Sequence, residues 1–172
     1  DVICDTGAAA LDSIATALSL PLKPRTRYYW TVEVTADNGD HAISQVNWFE
    51  TAKREEPWRA KWITCQAHPR HPVFTKQIAV SGTLESARLY ISGLGVYEAR
   101  INGQKVGDEY LAPYCNNYHQ WIQYQTYDVT QALSSGGTLC VTVGNGWYAS
   151  RMGYFSKPGD AGHYGTGAKL IA

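Results

Sequence analysis

Apolar and polar side chains exchange places with a period of two along most of the chain, the pattern of half-buried β-strands. Tyr28 to Thr35 is aromatic and β-branched, and it stops at the turn sequence Asp37-Asn38-Gly39-Asp40. Ala42 to Thr51, through Val46, Trp48 and Phe49, reads as its antiparallel return. Pro21, Leu22 and Pro24 mark a bend ahead of this hairpin. Ala8 to Leu18 has a composition that suits a short helix, but its β neighbourhood favours loop plus strand. Lys53 to Pro57 is a charged, Pro-terminated break and the best boundary, dividing 1–54 from 55–172.

Beyond the break, Trp58, Trp62 and Ile63 open a new apolar pattern. Strands are expected at Val73 to Val80, Ala87 to Ile91, Val96 to Ile101, Trp121 to Tyr124 and Thr138 to Val143. Asn102-Gly103, between Ile101 and Val106, is the sharpest hairpin signal. Asp128 to Leu133 reads as a capped helical turn with Asp128 or Thr130 as the cap. Lys169-Leu170-Ile171-Ala172 predicts a strand that arrives at the last residue, as expected of a sandwich cut inside a domain. The few strands before the break likewise fall short of an independent sheet. Many short strands, frequent turns and no alternating helices define an all-β chain built of sandwiches.

Composition narrows the partners. Fifteen basic residues balance fifteen acidic ones with no run of five like charges, which argues against nucleic acid and anionic membrane. No apolar run approaches a membrane span. No signal peptide is visible at the N-terminus, and the compartment stays open. The aromatic set is 12 Tyr and 6 Trp against 3 Phe, amphipathic rings that suit half-buried sheets and wet binding faces. Cys4, Cys65, Cys115 and Cys140 are dispersed, which fits free thiols better than a disulfide framework. Cys140 reads as a small core residue.

The sequence holds no self-contained catalytic constellation. Cleaving a glycosidic bond needs two facing carboxylates, and nothing singles out a pair among Glu85, Glu98, Asp108, Glu109, Asp128 and Asp160. Asp108-Glu109 is the local acidic pair; it can serve a hard cation such as calcium or stand as a solvated turn. His68 and His71 sit in a Pro-flanked loop, and His119 and His163 are isolated. No serine has a Gly-x-Ser-x-Gly setting. The pieces Ser92-Gly93-Leu94-Gly95 and Gly144-Asn145-Gly146 read as strand connections with no helix to follow. A binding reading fares better. Asn116 and Asn117 lie in the polar, aromatic loop Pro113 to Tyr118, and Trp147 and Tyr148 follow Gly146. Flat rings and amides are the groups that recognise sugars, although the same residues also serve as turn formers and sandwich plugs.

At this point the chain resembles a family. Trp58-Arg-Ala-Lys-Trp-Ile63 is similar to the Trp-x-Ala-x-Trp-Ile entry of bacterial α-L-rhamnosidases, glycoside hydrolase family 78. Ala87 to Gly103, Val106-Gly107-Asp108, Leu111-Ala112-Pro113, Tyr124 to Thr130 and Gly144 to Tyr148 then follow in the family's order. Tyr28 to Val34 and Trp48 to Thr51 look like the last strands of the fibronectin-type-III-like module at the N-terminus of these enzymes. The resemblance implies a partial module of that kind over 1–54. A jelly-roll, galactose-binding-like sandwich, cut at its C-terminal side, is implied over 55–172. It implies a non-catalytic piece, since the family's acid and base sit on a later (α/α)₆ barrel that would be this piece's main partner. Some relatives bind rhamnose with the help of calcium, so rhamnose-containing glycan is the ligand implied, with Asn116, Asn117, Trp147 and Tyr148 as candidate contacts and Asp108 as the candidate metal residue. No other cofactor is expected. Pro113-Tyr114-Cys115 departs from the Pro-Gly-Trp-like turn common in the family. The alternative is a free-standing carbohydrate-binding module.

Overall fold

In the computed structural model, which describes residues 1–12, 14–67, 71–150 and 164–172, the period-two segments form eleven strands and one short helix among the described residues. The chain divides into two compact units, Asp1–Trp58 and Arg59–Ala172.

In the first unit, β1 (Arg27–Trp30) pairs antiparallel with β4 (Asn47–Glu50), and β2 (Glu33–Thr35) with β3 (His41–Ile43). Each of the two long strands expected here is therefore broken. Thr31 and Val32 face Ser44, Gln45 and Val46 across the break, the two-against-three count of a β-bulge. Ser44 closes it: its backbone N–H donates to Val32 O at 2.8 Å, and its hydroxyl accepts from Val32 N–H at 2.9 Å. The expected turn ends the hairpin, with Gly39 at φ 89° and its N–H donating to Ala36 O. Register sorts β1 and β4 into two faces. Tyr28, Phe49 and Trp30 share one, the first two rings stacked at 5.5 Å. Arg27, Glu50, Tyr29 and Trp48 share the other, where Arg27 pairs with Glu50 at 3.2 Å and lies 4.0 Å from the Trp48 ring centroid. Residues 8–18 hold neither helix nor strand among those described.

The second unit is a sandwich. One sheet runs β5–β10–β7–β8, from β5 (Val73–Ile78), β10 (Gly137–Gly144), β7 (Val96–Ile101) and β8 (Gln104–Lys105). The other runs β11–β6–β9, from β11 (Lys169–Ile171), β6 (Arg88–Leu94) and β9 (Gln125–Asp128). Ile63 extends that second sheet by exchanging two backbone bonds with Leu170. Leu139, Val141 and Val143 of β10 alternate with outward residues and meet Ala99, Ile101, Ile91 and Leu170 in the core. Ile91 and Val143 are 0% exposed. Phe74 and Ile78 of the edge strand β5 pack on this core. Lys76 stands between them on the same face, opposite Leu139, yet stays exposed.

Three expectations need correcting. Trp121 to Tyr124 is not a strand; β9 begins at Gln125. The segment is held as a loop, because Gln123 N–H donates to Asn116 Oδ1 and Gln123 O accepts from the Ser92 hydroxyl. Cys140 lies on the outward phase of β10, half-buried and outside the core cluster. A helix does follow Gly144-Asn145, the single turn α1 (Gly146–Ala149). The helical turn expected after Asp128 forms, with one helical bond, Leu133 N–H to Val129 O; of the two candidate caps it is Asp128, accepting from Thr130 N–H at 3.1 Å.

The Asn102-Gly103 hairpin forms as expected, with both residues at positive φ (51° and 81°), the requirement of a type I′ turn. Asn102 does more than turn the chain. Its Oδ1 accepts from Thr138 N–H at 3.0 Å, and its Nδ2 donates to Ala132 O and Gly136 O. Asn102→Gly keeps the backbone conformation but removes those bonds, so it should cost about 1–2 kcal/mol. Asn102→Ala adds left-handed strain, about 1 kcal/mol more. Urea midpoints of the two variants check the order; an Ala variant as stable as the Gly variant refutes it.

Candidate functional site

Two close backbone approaches bring together the pieces Ser92 to Gly95 and Gly144 to Gly146, which the sequence picked out separately. Gly95, at φ 126°, lies so near Gly144 O that a Cβ there would overlap it, and a Cβ on Gly146 would press on Gly95 and Val96. The turn between β6 and β7 is thereby packed against the start of α1, which fixes where Trp147 and Tyr148 project. Ala149 N–H donates to Asn145 O at 3.1 Å, closing the one turn of helix. Tyr164 N–H donates to Tyr148 O at 3.2 Å, and the absence of a side chain on Gly165 leaves room for the Tyr148 hydroxyl.

The facing loop is pinned at Asn116, which is 4% exposed. Its Nδ2 donates to Tyr114 O at 3.0 Å and to Pro113 O at 3.3 Å, while its Oδ1 receives Gln123 N–H at 2.9 Å. The amide is spent inside the loop, so Asn116 shapes the site from beneath. Asn117 is exposed; it opens the next turn, accepting from Gln120 and Trp121 N–H through its carbonyl, and its Nδ2 donates to Gln120 Oε1. Tyr118 then reaches α1. Its ring meets Tyr148 edge-on at 5.3 Å and Tyr164 at 4.9 Å, and His119 sits 4.9 Å from Tyr164. Burial pushes the Tyr118 phenol above its usual range.

The structure thus joins Asn116, Asn117 and Tyr148 through Tyr118. Trp147 is half-buried on the same helical turn. Tyr118 lay inside the predicted loop without standing out, and His119 looked isolated. Tyr164, far along the chain, carries no local signal of its role. Half-buried phenol rings, an exposed amide and an exposed imidazole suit a neutral polyol with one apolar face. Asp108 is exposed, and among the described residues no group of three or more His, Cys, Asp or Glu side chains could hold a metal ion. Among the described residues, then, the acidic side chains do not assemble a calcium cage. His68, Asp160 and His163 lie outside the described residues.

Beside this loop the core turns polar. The Tyr97 hydroxyl donates to Gln125 Oε1 at 2.7 Å, and Gly107 (φ 73°) is without a side chain where Glu109 and the Tyr127 ring close in. Burial above all, then hydrogen bonding with Tyr127 and the Glu109 charge, holds the Tyr97 phenol far above its ordinary value. Tyr127 is raised too, chiefly by burial. In the unfolded chain both phenols lose their protons near pH 10, whereas the folded chain keeps them. Above that pH the unfolded state binds fewer protons, so stability falls as pH rises; below it the contribution is complete and flat. Thermal melts across the alkaline range should show this decline, and Tyr97→Phe should make it shallower. Equal slopes in both proteins would refute the assignment.

Residues 82–172 match the family profile of the α-L-rhamnosidase N-terminal domain. Residues 7–55 match the Rha78A-like N-terminal immunoglobulin domain. An α-L-rhamnosidase of Formosa agariphila is 33% identical over 165 residues, covering 80% of this chain and 17% of that protein. One of Streptomyces avermitilis is 49% identical over 87 residues, covering 50% of this chain and 8% of that protein. Among solved structures, the α-L-rhamnosidase from Dictyoglumus thermophilum superposes with a TM-score of 0.75 at 32% identity, covering 87% of this chain and 18% of that one. The α-L-rhamnosidase from Aspergillus terreus gives 0.75 at 35% identity, with 87% and 18% covered. The chain therefore spans less than a fifth of the length of these relatives.

Proposed function

Because the chain belongs to the α-L-rhamnosidase N-terminal domain family, we propose that it serves as a non-catalytic β-sandwich portion of such an enzyme. In this reading it scaffolds an (α/α)₆ catalytic domain of the same parent chain. That domain carries the acid and base that hydrolyse terminal α-L-rhamnosides with inversion. The observation that carries the reading is the match over 82–172 to a domain that makes up so small a share of each relative. The all-β architecture, with its two units, supports 1–54 as a fibronectin- or immunoglobulin-type module and 55–172 as the rhamnosidase sandwich.

The aromatic end of the sandwich is the part we assign to rhamnose-containing glycan. Tyr118 and Tyr148 supply ring surface, Trp147 flanks them, and Asn117 offers an exposed amide to hydroxyls, with Asn116 holding the loop that presents them. L-Rhamnose has a methyl group and a run of hydroxyls, so it matches a surface with apolar rings and polar tips. Calorimetry of the 172-residue chain with L-rhamnose should give weak, measurable heat that is independent of calcium. Tyr118→Ala and Tyr148→Ala should each weaken it about tenfold or more. No heat at millimolar sugar removes the glycan assignment and leaves the scaffold. Turnover of a chromogenic α-L-rhamnoside by this chain alone would overturn the non-catalytic reading.

A further inference from the structure

We propose that Asn38 is a site of spontaneous deamidation and isoaspartate formation in the folded protein, and that the fold protects the chain's two other Asn-Gly pairs. Those pairs are Asn102-Gly103 and Asn145-Gly146. In this reaction the backbone nitrogen of the glycine attacks Cγ of the asparagine. The N–Cγ bond forms, the Cγ–Nδ2 bond breaks, and the proton lost by the glycine nitrogen leaves with Nδ2 as ammonia. Water then opens the cyclic imide at either carbonyl. One opening gives aspartate, and the other gives isoaspartate with the main chain routed through the β-carbon. No redox partner is needed, only water and mild base. Glycine favours the attack because no Cβ shields its nitrogen, but the asparagine must be able to rotate until its Cγ faces that nitrogen.

The three sites differ in what must open first. At Asn102 both ends of the side-chain amide are bonded, Oδ1 to Thr138 N–H and Nδ2 to Ala132 O and Gly136 O, and its own N–H donates to Thr138 O at 3.0 Å. Those partners lead into the central strand β10, so freeing Asn102 means opening the sandwich. At Asn145 the backbone is helical, φ −59° and ψ −34°, and its carbonyl holds Ala149 N–H. Gly146 is wedged against Gly95 and Val96, and Asn145 Oδ1 is buried. The attacking nitrogen has no room to swing.

Asn38 is restrained only by its own loop. Nδ2 donates to Asp40 Oδ2 at 2.7 Å, Oδ1 accepts from Asp40 N–H at 3.0 Å, and Gly39 N–H donates to Ala36 O at 2.9 Å. All of these bonds are local and exposed. No heavy atom lies within 4 Å of where a Gly39 side chain would begin. The flanking strands β2 and β3 are three residues each and exposed throughout. Opening such a loop costs far less than opening the core of the sandwich. Conversion would place a new carboxylate between Asp37 and Asp40, and the isoaspartate product would lengthen the turn.

The test is peptide mapping by mass spectrometry of the 172-residue chain aged in mildly alkaline buffer, native and in urea. Asn38 should convert at least about tenfold faster than either Asn102 or Asn145 in the native chain. In urea the three rates should converge. A smaller native margin, or the same ranking in urea as in buffer, overturns the proposal.

Discussion

The register between β7 and β10 is the constraint on which the aromatic end of the molecule depends. Leu139 faces Ile101 at one end of the ladder and Gly144 faces Val96 at the other. A slip of one residue would turn Leu139, Val141 and Val143 out of the core and bring Cys140 and Thr142 in. It would also separate Gly95 from Gly144 and Gly146, whose close approach sets the start of α1. Tyr148 meets Tyr118 only because that junction is fixed. The hydrophobic core and the candidate sugar surface are therefore set by one ladder. Asn102, bonded to Thr138 and to the turn before it, pins the far end of the same ladder.

Local chemistry was readable where it is decided locally. The turns at Gly39 and at Asn102-Gly103 need positive φ, and the residues there announce it. The alternation of β5, β7 and β10 needs one dry face, and the apolar residues mark it. What escaped the sequence depends on distant partners. Trp121 to Tyr124 has the composition of a strand, yet Asn116 and Ser92 take the backbone groups of Gln123 before a ladder can. The long strands expected over Tyr28 to Thr35 and Ala42 to Thr51 break at a bulge whose stabilising group is a serine hydroxyl. The glycines around Asn145 looked like mere connections, whereas their role is to let two backbones touch. Tyr164 acquires its role only through contacts formed on folding.

Three groups among the tyrosines and tryptophans have distinct uses. Tyr97 and Tyr127 form a polar island at the edge of the core, where their hydroxyls find partners out of water. Tyr118, Tyr148 and Tyr164 form the half-buried cluster at the end of the sandwich. Tyr28, Trp30, Tyr29 and Trp48 cover the two faces of a two-stranded ribbon in the other unit. Composition alone does not mark a sugar surface, because of these groups the second is the one whose rings and neighbouring amides together suit a polyol. The packing shows which side chains of that group stand together at the end of the sandwich.

Lys76 has an effect beyond its own strand. A sheet edge with free backbone donors and acceptors invites any extended chain to join it. On β5 the charge lies on the core-facing phase, between Phe74 and Ile78, so a strand added alongside would trap an ammonium in apolar surroundings. The sandwich thus guards this edge with a residue of its own. Such a unit can sit beside different modules in different polypeptides without fusing its sheet to theirs, a property that suits a building block of long, multi-part chains.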